Sequence, residues 1–133
     1  MDEIQVDQDH WERATAPDWL TTGGLGPCIA VAILNHSQRK AWLSHYAGIS
    51  ATDAIGLKEM IVAATNAQHD NDEIDVCLYG GDPTHCDTAS VQADRDCAEA
   101  LVRETFPTAK ATWGSVDFLE VIFEGDHWVS VAR

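Results

Sequence analysis

Residues 21–45 read TTGGLGPCIAVAILNHSQRKAWLSH, and this stretch decides the fold. Residues 28–35 form a short, continuously apolar run, which is typical of a strand buried on both faces. Residues 41–46 predict a partner strand, and the polar segment HSQRK between the two runs has hairpin length. The sequence therefore predicts a buried antiparallel hairpin.

The flanking sequence predicts two helices and several further strands. The polar stretch up to about residue 17 is expected to form an N-terminal arm with a short strand around residues 4–6. Ser50 and Asp53 have the spacing of a capping box. The expected elements are helices ending near residue 67 and spanning residues 90–106, and strands at 74–79, 111–115, 118–123 and 128–132, the last two forming a hairpin. Residues 1–133 are thus expected to form one compact α+β domain of α/β/α-type layering, with a mixed or antiparallel sheet and two main helices.

The composition limits the possible partners. The chain has 133 residues, is 45% hydrophobic and carries a net charge of −14, which is typical of an acidic globular domain. This charge argues against nucleic-acid binding and against an anionic membrane surface. The longest apolar run, residues 28–34, is too short to span a membrane, and the acidic N-terminus has no apolar core of a signal peptide. We therefore expect a cytoplasmic protein without membrane insertion.

A thiol and an imidazole meet in the predicted hairpin. If the hairpin centre lies near residues 36 and 37, Cys28 and His45 are directly opposite, with Cβ atoms about 4.5–5.5 Å apart. His45 could then take the thiol proton, and an imidazolium would lower the thiol pKa. A register shift of one residue would put the two side chains on opposite faces. The alternative for each residue alone is ordinary packing.

Glycines precede the cysteine. Gly24 and Gly26 allow a tight loop that can direct backbone N–H groups at a developing oxyanion. The spacing matches neither a dinucleotide-binding fingerprint nor a phosphate-binding loop.

Three weaker patterns point to other sites. His85 with the remaining cysteines (Cys77, Cys86 and Cys97) could be combined into a zinc site, but the spacings fit no common zinc motif. An acidic loop (Asp70, Asp72 and Glu73) lacks the calcium-binding pattern and is expected to be a solvated loop. Trp19 is the aromatic residue that we expect to face a substrate.

Residues 22–28, TGGLGPC, together with the apolar strand and His45 seventeen residues after Cys28, resemble the CheD family of chemoreceptor glutamine deamidases. That family has a T-x-G-L-G-S-C motif before a strand and a histidine after it. The LYGG segment at residues 78–81 stands where the family has a double glycine. The resemblance covers residues 22–45 well and residues 74–81 moderately.

The resemblance implies a mixed α/β layered fold and a hydrolase that converts protein-bound glutamine to glutamate and ammonia. Cys28 would be the nucleophile, His45 the base and then the acid, and Thr22 the residue that orients His45. The substrate would be a glutamine-bearing protein of chemotaxis, such as a chemoreceptor helix, and a regulatory protein partner is also implied. The resemblance implies neither metal nor cofactor.

The loop residues that would contact the substrate or its oxyanion are Gly24, Gly26, Pro27, Gly80, Gly81 and Trp19. Pro27 stands where the family has a small hydroxyl residue and has no N–H, so an oxyanion donor would be the N–H of Cys28 or lie elsewhere. Ala47 and Gly48 stand where the family has Leu-Pro.

The residues leave three alternatives open. The same thioester chemistry could cleave a peptide or transfer an acyl group. A non-catalytic module could keep the fold and bind a protein partner. An unrelated small α+β domain could carry the motif by chance.

Overall fold

The computed structural model describes residues 1–133 except the side chains of residues 51 and 52. The strands are β1 (Glu3–Gln5), β2 (His10–Thr15), β3 (Trp19–Gly23), β4 (Ile29–Asn35), β5 (Lys40–Tyr46), β6 (Ile74–Gly80), β7 (Lys110–Trp113), β8 (Phe118–Glu124) and β9 (His127–Ala132). The helices are α1 (Ala54–Ala67) and α2 (Thr88–Thr105), and a π-helical turn, Ile49–Asp53, precedes α1.

The predicted buried hairpin is the middle of a five-stranded sheet of order β2-β5-β4-β6-β7. Every residue of β4 is buried, as its continuous apolar sequence predicts. β5 and β6 pair antiparallel with β4, one on each side, whereas β7 is parallel to β6. Odd-numbered residues of β4 face the helices and even-numbered residues face the second sheet. The hairpin prediction is confirmed.

The second sheet has four strands in the order β1-β3-β8-β9. β8 and β9 form the predicted antiparallel hairpin. β3 pairs antiparallel with β8 and parallel with β1. β3 carries Thr22, so this sheet brings the threonine of the TGGLGPC motif against the five-stranded sheet.

The molecule is the expected α+β domain with two helices and mixed sheets, but the third layer is a sheet. Both helices pack on one face of the five-stranded sheet, where their apolar residues form a core with Ile29, Val31 and Ile33. The second sheet covers the other face through Leu20, Leu119 and other apolar residues. The layer order is therefore α/β/β rather than the α/β/α-type order, because α1 and α2 share one core and a sheet fills the place of a second helical layer.

Two local expectations need correction. Residues 1–17 are not a separate arm, because β1 and β2 pair within the two sheets. Ser50 does not cap α1: its hydroxyl and its backbone N–H both donate to Asp94 of α2, at 2.6 and 2.9 Å. Asp53 accepts from the N–H of Gly48 and thereby supports the turn before the helix. Among the described residues, no helix is long and apolar enough to cross a membrane.

Candidate active site

His45 lies on β5 in the layer between the two sheets. It follows Ala41 and Leu43 on the face that turns to the four-stranded sheet, and only 4% of its surface is exposed. It pairs with Ala30 on β4 and with His10 on β2. The fold therefore holds this imidazole between two strands and beneath a second sheet.

Thr22 reaches His45 from the opposite sheet. Its Oγ1 lies 2.7 Å from Nδ1 of His45 and also donates to the carbonyl oxygen of Val6 at 2.7 Å. A hydroxyl has one proton and a carbonyl can only accept, so that proton goes to Val6 and Nδ1 of His45 must be the donor to Thr22. In the neutral imidazole, Nε2 then carries the free lone pair. Within the described part of the chain, Nε2 is buried and has no hydrogen-bond partner.

Cys28 lies at the entrance of β4, two residues from the position opposite His45. The observed register pairs Ala30 with His45, whereas the assumed register paired Cys28 with His45. The register differs by two residues because four residues, 36–39, connect β4 to β5, which begins at Lys40. The centre of the hairpin therefore lies beyond residues 36 and 37. Within a regular antiparallel pair, residues offset by two positions share a face and lie roughly 7–8 Å apart. Cys28 itself lies in the turn directly before β4, where its N–H donates to Leu25.

The electrostatic setting of Cys28 also differs from the expectation. Burial raises the pKa of the Cys28 thiol, and nearby carboxylates, with Asp9 first, raise it further. Burial lowers the pKa of His45, while Asp9 and Asp7 oppose that shift. Among the described atoms no hydrogen bond joins the Cys28 sulfur to Nε2 of His45. The resting pair is therefore a neutral thiol and a neutral imidazole, not the expected thiolate beside an imidazolium.

The glycines of the two loops hold Cys28 in place rather than offering oxyanion donors. The N–H of Cys28 donates to the carbonyl oxygen of Leu25 at 2.7 Å, and the N–H of Gly81 donates to the carbonyl oxygen of Cys28 at 2.9 Å. Gly24 and Gly26 have φ values of +60° and +49°, which allow the turn. The N–H of Cys28, the expected oxyanion donor, is therefore already used inside the protein, and so is the N–H of Gly81.

Gly80 and Pro27 have structural roles near the same loop. A Cβ at Gly80 would lie 2.3 Å from the Cys28 carbonyl oxygen, and φ at this position is +93°. Only glycine therefore lets β6 pass so close to the cysteine loop. Pro27 has no N–H to donate and forms part of the turn that precedes β4.

Trp19 does not face the site. Side chains alternate along a strand, and Leu20 and Thr22 of β3 point to the inner layer. Trp19 therefore lies on the outer face of its sheet, where it lines a depression of about 250 Å³ with Pro17 and Ile122. The expected substrate-facing role of Trp19 is wrong for this reason.

A cleft opens over the threonine and the histidine. It has a volume of about 360 Å³ and is lined by residues 5–8 after β1, residues 21–24 of β3 and its following turn, His45 and Phe118. The N–H of Asp9 donates to the carbonyl oxygen of His45 at 2.6 Å. Val6, Asp9 and His10 contribute through backbone atoms and cross-strand pairing, so their side chains did not mark them as site residues. For Asp9 and His10, the polar run DQDH at residues 7–10 is the visible sequence signal.

The other candidate clusters have structural explanations. Asp72 accepts hydrogen bonds from Asn35 and Gln38, which fastens its loop to the β4–β5 turn. All four cysteines are free thiols. Across the described residues, no group of three or more His, Cys, Asp or Glu side chains is arranged to hold a metal ion.

No protein-family model matches the chain, and no curated protein matches it either.

Proposed function

We propose that the protein is a cysteine-dependent protein-glutamine deamidase of the CheD type, acting in the cytoplasm on a chemotaxis protein such as a chemoreceptor. The observation that carries the proposal is the hydrogen-bond chain from His45 to Thr22 to Val6. This chain leaves Nε2 of a buried, neutral imidazole as a free base, and Cys28 lies two residues before Ala30, the residue that pairs with His45. A base without a partner is what a nucleophilic thiol requires.

The reaction follows from these positions. The Cys28 S–H proton passes to Nε2 of His45 as the sulfur attacks the carboxamide carbon of glutamine. His45 returns the proton to the nitrogen, the C–N bond breaks and ammonia leaves a thioester on Cys28. His45 then takes a proton from water, whose oxygen attacks the thioester carbon. The C–S bond breaks, glutamate leaves, and His45 returns the proton to the Cys28 sulfur. Hydrogen bonds in resting active sites are often long and tighten when the substrate binds, which accounts for the open Cys28–His45 pair.

The test measures ammonia release and the mass of synthetic glutamine peptides incubated with the protein. We expect conversion of glutamine to glutamate with the peptide chain intact. We expect Cys28→Ser and His45→Gln each to lower kcat at least about a hundredfold, because each removes a group that reacts. Cys86→Ser is the matched control, since Cys86 is an exposed free thiol. Unchanged conversion by Cys28→Ser would refute the proposal.

A second candidate is a non-catalytic module that binds a protein partner through the same fold. The raised pKa and deep burial of the Cys28 thiol favour it, because a thiol used only for packing needs neither exposure nor ionisation. This candidate predicts no ammonia release from any glutamine peptide. It also predicts that Cys28→Ala retains partner binding.

A further inference from the structure

The cleft lined by Thr22 and His45 has room for a ligand side chain, and His45 has a ring nitrogen without a hydrogen-bond partner among the described atoms. His45 and Thr22 line it, His45 is 96% buried (4% exposed), and its Nε2 lacks a partner. Buried polar groups are normally hydrogen-bonded, so an unpartnered imidazole nitrogen beside an open cleft points to a ligand group that completes it. In the proposed reaction, that group is the glutamine carboxamide.

Two carboxylates beside this cleft are not used by the protein itself. Asp7 lines the cleft, and Asp9 follows it in the segment whose backbone binds His45. Within the described chain, neither carboxylate forms a hydrogen bond or an ion pair. Asp53 and Asp94, which also influence Cys28, differ in this respect, because they hold the turn before α1.

No positive charge balances these carboxylates from inside the cleft. In the part of the chain that the structure describes, no lysine or arginine lines it. The guanidinium of Arg133 lies 4.9 Å from the ring of Phe118, a lining residue, and is engaged in a cation–π contact there. Glu3 adds a further carboxylate on the same side, where it accepts from the hydroxyl of Thr21.

We infer that the site selects glutamine residues that have a lysine or arginine within two positions along the substrate chain. This inference rests on the proposed function and names its substrate class. A cationic side chain bound between Asp7 and Asp9 would place the neighbouring carboxamide over Nε2 of His45.

The charge also affects the chemistry. Burial and then the field of Asp9 raise the pKa of the Cys28 thiol, so the free protein keeps this thiol protonated. A substrate cation beside Asp9 offsets that field and makes loss of the thiol proton easier when the correct substrate is bound. The carboxylates would thus contribute both to binding and to activation of the nucleophile by the substrate.

The test uses three synthetic peptides that differ only in the two residues flanking one glutamine: lysine, serine or glutamate. The readouts are ammonia release and peptide mass. We expect kcat/KM to fall about tenfold from the lysine to the serine peptide and again to the glutamate peptide, and the differences to shrink in high salt.

Two variants and one control distinguish the effect of the carboxylates near the cleft from the effect of the protein's net charge. Asp7→Asn and Asp9→Asn should each remove most of the preference for lysine. Asparagine suits position 9, because Asp9 has φ of +68° and asparagine tolerates the left-handed region. Asp70→Asn changes the net charge equally in the loop before β6 and should keep the preference.

The outcomes distinguish the inference from the proposed function. Conversion of all three peptides at equal rates, or a lysine preference that survives in Asp7→Asn and Asp9→Asn, overturns the inference and leaves the deamidase in place. Conversion of none of the peptides overturns both.

Discussion

At the scale of single residues, Thr22 orients His45 without charging it. Its hydroxyl accepts from Nδ1 because its own proton is donated to the carbonyl oxygen of Val6. A neutral acceptor sets the tautomer of the ring but gives an imidazolium less stabilisation than a carboxylate would. Together with the burial that lowers the pKa of His45, this keeps Nε2 unprotonated at neutral pH.

The residue scale gives a prediction for Thr22→Val, which keeps the side-chain shape and removes the hydroxyl. We expect His45 to lose its preference for the Nδ1–H tautomer. We expect kcat to fall by up to about tenfold, because the molecules with a proton on Nε2 lack the free base. Imidazole ¹⁵N chemical shifts measure the tautomer independently of activity. Thr22→Ser keeps the hydroxyl and should retain both readouts; an unchanged tautomer in Thr22→Val would contradict the assignment.

The sequence allowed part of this site to be predicted, and local geometry explains the rest. The motif and the spacing identified Thr22 and His45, and the structure brings them together. The position of Cys28 relative to His45 depends on the length of the β4–β5 connection, which polar loop residues do not specify. Val6 contributes a carbonyl oxygen, which every residue has, so no side-chain pattern could identify it.

At the scale of elements, the end of β6 holds the cysteine loop. The N–H groups of Gly81 and Asp82 donate to the carbonyl oxygens of Cys28 and Gly26, each at 2.9 Å. Gly80 lets these two backbones meet, because any Cβ there would collide with the Cys28 carbonyl. The double glycine therefore positions Cys28 through main-chain contacts.

Gly80→Ala tests this contact. We expect it to lower the free energy of unfolding by about 1–3 kcal/mol more than Gly125→Ala does, because both residues have positive φ but only Gly80 meets backbone atoms. Chemical denaturation measures both variants. Equal losses would mean that positive φ alone accounts for the effect and that the loop contact contributes nothing.

Periodicity predicted some elements well and missed others for identifiable reasons. β4 and the β8–β9 hairpin have apolar residues in local patterns, so the sequence alone identifies them. β2 was missed because it is an edge strand with one buried residue, Ala14, among polar ones. The layer order was missed because an amphipathic helix does not specify which face of a sheet it covers.

At the scale of the whole molecule, a histidine cluster joins the two sheets at the end of the β4–β5 hairpin away from Cys28. Nδ1 of His36 accepts from the backbone N–H of Trp128 at 2.9 Å, and its Nε2 contacts Asp75 at 2.8 Å. Nε2 of His127 in β9 lies 2.6 Å from a carboxylate oxygen of Glu73, which directly precedes β6. The ring of His127 lies 4.6 Å from the ring of His36. These contacts fasten β9 across the interface.

The His127 contact predicts a pH dependence of stability. Asp126 and Glu73 raise the pKa of His127 above its ordinary value. Protonated His127 therefore stabilises the folded state, and this contribution is complete below about pH 6.5, the ordinary histidine pKa. The contribution is lost as the pH rises through the pKa of His127 in the folded protein. The difference in Tm between the protein and His127→Gln should therefore be largest near about pH 6 and shrink towards about pH 9.

His85→Gln is the control for this measurement, because it replaces an exposed histidine that lies outside the His36–His127 cluster. A His127→Gln difference that is constant across the same pH range would contradict the role of His127.

The length of the β4–β5 hairpin separates the His45–Thr22 pair from the His36–His127 cluster. His45 and His36 are about six strand residues apart, or roughly 20 Å at about 3.4 Å per residue. Substitutions at sites this far apart, without shared partners, have additive effects. Variation at His127 can therefore change the pH range in which the protein survives storage, while the surroundings of His45 stay the same.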